Sequence, residues 1–333
     1  MKPGLLFLLI AVVYAAQVPA YKIAGSIPLG GSGGWDYLSA DSANRRLYVS
    51  HGGQVEVVDL DSGKAVGKIS GMMGIHGIAV ANDLGAGFIS DGRANEVVEF
   101  TLANLEVKKK IKAGTNPDGI VYDSVSKRVF AFNGRSHDAT VIDGANGTLA
   151  GTVKLDGKPE FPVSDGAGSV FVNIEDKSEL VKIDSRTLAI KAIWPLAPCE
   201  SPSGLAIDMA NRHLFSVCDN KRMAITDADS GKVVASPTIG DGPDAAAFDP
   251  TLHLAFSSNG ESGTLTVIRA DGKDKYSVAG TIETAKGART MALDVKTHKL
   301  YLSTAAFGPT PAGARRPAIL PDTFRVLVLA RVS

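Results

Sequence analysis

Seven polar residues recur in one local context along the 333-residue chain, at a spacing of roughly 42 residues: Asp36, His76, Asp118, Glu160, Ser203, Asp244 and Arg289. Each opens a short apolar run. Four are carboxylates, set beside one imidazole and one guanidinium. If the fold gathers them, crowded acids repel, and the repulsion raises some pKa values or recruits a cation. A second set recurs three residues after an aromatic: His51, Asp91, Asn133, Ile174, Cys218, Asn259 and Thr304. One chemistry open to these residues is a divalent-metal site built from Asp118, Glu160 and Asp244, with Asn133 and Asn259 as neutral oxygen ligands. Such a donor set favours Ca²⁺ or Mg²⁺, and adding His76 and His51 admits a transition metal. A metal-dependent hydrolase or lyase, lactonase-like or acting on another small carbonyl substrate, would use the ion to polarise a carbonyl or activate water, with His76 as acid or base. No local signature such as His-Glu-x-x-His accompanies the set. Polar residues also sit at no cost around any wet channel mouth.

The elements that must position these residues are short β-strands. The clearest unit runs Pro117 to Asp123, Lys127 to Asn133, Ala139 to Asp143 and Gly151 to Leu155, four β-rich runs separated by turn residues. They read as a meander of strands A to D. The first run is almost wholly apolar, as suits a strand buried on both faces near an axis. The order repeats from each of the seven residues named above, and no stretch carries a helical period. The C–D turns are rich in Asp and Gly, as in Asp59 to Gly63 and Asp227 to Gly231. The last unit ends one strand short, and Tyr21 to Leu29 resembles the outer strands elsewhere. The reading is an all-β, seven-bladed β-propeller of four-stranded antiparallel blades, its ring closed by the N-terminal strand joining the C-terminal blade. Closure removes the exposed strand edges. In such a meander the B–C and D–A loops emerge on one face, so both recurring sets belong to the channel mouth on that face.

The repeat resembles the YVTN-type, YncE-like family of exported bacterial propellers across essentially all of residues 21–333. The segments that carry the likeness are Tyr48-Val49-Ser50-His51, Phe130-Ala131-Phe132-Asn133 and Phe256-Ser257-Ser258-Asn259. The resemblance implies the fold and an extracytoplasmic setting. It says little about activity, since members include proposed DNA-binding and cell-envelope proteins.

Residues 1–20 read as a signal peptide: one basic residue, an apolar run from Leu5 to Ala16, then small residues at Val18 and Ala20. The run is too short to span a bilayer, and no later segment is apolar enough to do so. Residues 21–333 form a single domain on this reading, periplasmic or secreted. Cys199 and Cys218 flank strands A and B of the fifth blade, and a disulfide is the first expectation in an oxidising compartment, with free buried thiols or copper ligation as alternatives. Lys+Arg and Asp+Glu are both 35, so the formal net charge is zero and offers no bulk attraction for nucleic acid or an anionic membrane. The B–C connection of the seventh blade, Thr304 to Thr323, holds four prolines and two glycines. A connection this long suggests a lid presenting Arg315 and Arg316. Trp35 is expected to pack between blades. Lys108 to Lys110 read as a solvated outer edge.

The sequence points first to a monomeric recognition protein, binding a small molecule or a cell-envelope protein through the B–C and D–A face. A metal-dependent enzyme is the second reading. Single-stranded DNA binding comes last, because it needs a basic groove and the gathered set is acidic.

Overall fold

A computed structural model describes residues 21–311, 313 and 317–332. Among these, the strands form seven sheets of four antiparallel strands each. The first blade consists of Trp35–Asp41, Arg46–His51, Gln54–Asp59 and Ala65–Ile69, and its strands neighbour one another in sequence order. The seventh is composite: Met291–Asp294, Lys299–Thr304 and Arg325–Arg331 are completed by Tyr21–Pro28. That N-terminal strand pairs with Arg325–Arg331 from Tyr21↔Arg331 to Pro28↔Arg325. The ring therefore closes by hydrogen bonds between the two ends of the described chain.

The apolar core lies between neighbouring sheets. The aromatic of each strand B (Tyr48, Phe88, Phe130, Phe171, Phe215, Phe256, Tyr301) is no more than 2% exposed. Tyr48 of the first blade packs with Phe100 and Ile89 of the second, and Phe215 of the fifth with Phe248 of the sixth. Trp35 is also buried, tilted against Phe307 and Phe324 at ring-centroid distances of 6.0 and 5.5 Å, which seals the first blade against the seventh. Cys199 and Cys218 are disulfide-bonded. No helix among the described residues is long and apolar enough to cross a membrane. Residues 1–20 and the Arg315–Arg316 tip expected of the lid lie outside the described residues.

The innermost strands carry the feature that shapes the channel mouth. In the first six blades strand A pairs regularly with strand B except near its start, where the ladder breaks: between Trp35 and Leu38, Ile75 and Ile78, Pro117 and Ile120, Pro159 and Pro162, Pro202 and Leu205, Pro243 and Ala245. A bulge of this kind re-aims a side chain. The residue it re-aims is the second of the strand, which is the recurring polar position.

Candidate functional site

Six of the seven recurring residues (Asp36, Asp118, Glu160, Ser203, Asp244 and Arg289) line one cavity of about 340 Å³ at the channel mouth. The seventh, His76, stands at its wall, where its Nδ1 meets Asp36 Oδ2 at 2.6 Å and Asp118 Oδ1 at 3.7 Å. The backbone of this ring is fixed from the neighbouring blade. Ser90 Oγ donates to the Asp118 carbonyl at 2.6 Å, Asn173 Nδ2 to that of Ser203 at 2.9 Å, and Thr290 Oγ1 to that of Asp36 at 2.7 Å. In the third and fifth blades close approach needs glycine at the next position. A Cβ on Gly119 would lie 2.4 Å from the Glu160 carbonyl oxygen, and one on Gly204 would lie 2.7 Å from that of Asp244.

The charges are arranged in threes, each cation bridging two carboxylates. His76 spans Asp36 and Asp118. Arg289 spans Asp244, through Nε at 2.6 Å, and Asp36, through Nη2 at 3.3 Å. Lys158 spans Glu160, at 2.6 Å, and Glu175. With Asp219 also lining the cavity, six carboxylates face three cations. Burial raises Asp118 to about 6, helped by Asp36 and Asp244 and opposed by His76. It raises Asp244 to about 6 against the pull of Arg289, and Glu160 to about 8 with the charge of Asp118 adding to it. For His76, burial opposes the cation, yet the hydrogen bond to Asp36 and the charges of Asp118, Asp36 and Glu160 outweigh it and raise the imidazolium to about 9.

Tyr37, Lys158, Glu175 and Asp219 also line the cavity and were not singled out in the sequence. Tyr37 follows Asp36 in the bulge and meets Phe161 edge to face at 4.8 Å, joining the first and fourth blades across the channel. It is 4% exposed, and its hydroxyl makes no hydrogen bond among the described residues. Burial and the surrounding carboxylates, Asp244 first, push its ionisation well above the usual phenol range. Glu175 and Asp219 did leave a signal. They occupy the position just after the end of strand B, where the other blades carry Gly52, Gly92, Gly134, Gly260 and Ala305.

The second recurring set lies one strand further out, with its side chains between the sheets rather than in the cavity. Asn133 Nδ2 donates to Asp138 at 2.7 Å and to Thr140 at 3.0 Å. Asn259 donates to Thr266 at 2.9 Å and accepts from Ser257 at 2.7 Å. Asp91 accepts from the Met73 and Gly74 amides, shaping the loop before the second strand A. His51 stacks on Phe324 at 4.1 Å with neither ring nitrogen hydrogen-bonded, and burial lowers its pKa. None of these four side chains lines the cavity. The long seventh-blade connection folds back at its base through a Phe307↔Ile319 bridge, with Phe307 seated against Trp35, next to Asp36.

The chain is similar to solved structures of very different sequence. It superposes on U3-55K with a TM-score of 0.76 at 9% identity, covering 91% of this chain and 97% of that one. The WD40 repeats of RRP9 give 0.77 at 10% identity, with 94% and 99% covered. Hydrazine synthase of Kuenenia stuttgartiensis gives 0.73 at 14% identity, with 90% and 96% covered. The likeness is one of fold alone. No protein-family model and no curated protein matches the chain.

Proposed function

We propose that the chain is an exported recognition propeller that binds a small polar ligand in the channel-mouth cup. One observation carries this reading: every lining side chain except Pro243 is polar, and they converge on a single cavity of about 340 Å³. That volume falls at the small end of the range of about 300–1,000 Å³ typical of ligand sites. Propellers generally serve as binding scaffolds, and loops on one face of a rigid sheet assembly are a common place for recognition. The excess of carboxylates favours a cationic or hydroxyl-rich ligand and opposes the phosphate backbone of a nucleic acid. The Cys199–Cys218 bond and residues 1–20 support a periplasmic or secreted setting. The repeated strand B segments support a YVTN-type relationship, and the base of the Thr304 to Thr323 connection beside Trp35 supports a role for that loop as a rim.

Thermal-shift screening of the mature protein against small amines, polyols and divalent chlorides tests the reading. Hits should disappear in Glu160→Gln and Asp244→Asn and persist in Asn259→Ala, measured from each variant's own unliganded midpoint. Hits that survive both cup substitutions would overturn it.

A further inference from the structure

Within the cup the carboxylates are not equivalent. Glu160 is held by Lys158, and Asp244 by Arg289. The remaining group is Asp36, His76 and Asp118, whose ligand-type atoms all lie within 4.8 Å of one another. The geometry points to a site for one divalent transition cation of the Zn²⁺ or Mn²⁺ kind, held by Asp36 Oδ2, His76 Nδ1 and Asp118 Oδ1. This inference rests on the cup being the binding site and names what it takes.

Three features carry it. First, nitrogen and oxygen ligands about 2.1 Å from a shared ion lie about 3.0 to 3.4 Å apart. The two pairs made by His76 Nδ1, at 2.6 and 3.7 Å, bracket that spacing, so small side-chain rotations suffice. Second, the supporting contacts are those a metal ligand needs. Arg289 Nη2 engages Asp36 Oδ1, leaving Oδ2 turned toward His76, and outer contacts of this kind orient ligands. Gly92 leaves room for the imidazole, since a Cβ there would lie 2.6 Å from His76 Nε2. Third, the Tyr37 hydroxyl, 4% exposed and without a partner among the described residues, lies among the cup carboxylates. Tyr37 lines the cavity, and an ion with bound water in the cup would give this hydroxyl a partner. One imidazole with two carboxylates suits Zn²⁺ or Mn²⁺, whereas Ca²⁺ takes six to eight oxygens.

The test is isothermal titration of the full mature protein, stripped with chelator and dialysed, with ZnCl₂, MnCl₂ and CaCl₂ in turn. One Zn²⁺ or Mn²⁺ per chain is expected, bound more tightly than Ca²⁺. His76→Ala and Asp118→Asn should each weaken binding at least tenfold, and Arg289→Gln and Gly92→Ala by roughly 10-fold through ligand orientation. Circular dichroism melts confirm that the variants are folded, and His137→Ala, at an exposed histidine, should change nothing. No binding by the parent protein, binding that survives His76→Ala, or preference for Ca²⁺ would each overturn the metal site. Amine or polyol hits lost in Glu160→Gln would still uphold the cup in that case, so the two failures are distinguishable.

Discussion

Asp118 and Asn133 stand on neighbouring strands of the third blade, close in register and on the same face of the propeller, and the same relation joins Asp36 to His51 in the first. Their surroundings are opposite. Asp118 opens into the cup and is paired across blades, whereas Asn133 is buried and bonded within its own blade to Asp138 and Thr140. The difference follows from the bulge in strand A, which turns the inner residue toward the axis while the regular B–C ladder keeps the outer one between sheets. Recurrent polarity marks both rings equally. What separates them is direction: the bulge turns the inner side chains into one shared cavity, where they pair across blades, and the ladder keeps the outer ones between sheets.

The largest effect that should set the rings apart is on stability. Cys218 belongs to the outer ring, and its bond to Cys199 closes a loop with a sequence separation of 19. Replacing both cysteines by Ala should cost about 3 kcal/mol in urea unfolding while leaving the affinity of any cup ligand unchanged. Loss of that affinity alongside stability would blur the division between the rings.

A second effect appears with pH. Asp118 and Asp244 are raised from 3.8 to about 6, and Glu160 from 4.5 to about 8. As pH rises, the unfolded chain releases these protons first, so each group costs the folded state stability from its ordinary pKa up to its raised one. His76, raised from 6.5 to about 9, contributes stability fully below 6.5 and loses it as pH passes through 9. All four shifts have the same sign. Stability should therefore fall steadily as the pH rises from 5 to 9. Glu160→Gln and His76→Ala should flatten that slope, and Asn259→Ala should lower the whole curve without changing it. An unchanged slope in the cup variants would show that the inner ring is not under the strain described.

Much of this was legible in the sequence. The seven-blade count, the closing strand at Tyr21 and the inner ring all follow from a period that turn residues keep in phase, and the disulfide from two cysteines in a chain read as exported. Tyr37 was not legible, because strict alternation along strand A directs the residue after Asp36 away from the axis, and only the bulge redirects it. Glu175 and Asp219 were hidden for a different reason: acids replace glycine just after strand B in two blades, a departure visible only once the glycine position is recognised as facing the cup. Lys158 precedes its strand and shares no repeat position with another cation. The sequence also grouped Asn133 and Asn259 with the carboxylates as oxygen donors. Face and period placed them together, but their amides are committed to Thr140 and Thr266 inside the blades.

One histidine stands in each ring, so an NMR titration of the imidazole protons tests their division most directly. His76 should titrate near pH 9, held charged by Asp36 and Asp118, while His51, its pKa lowered by burial, stays neutral until below its ordinary 6.5. Both histidines titrating together near pH 6.5 would contradict the division, since neither the charged cup nor the sealed outer ring would then be acting on its imidazole.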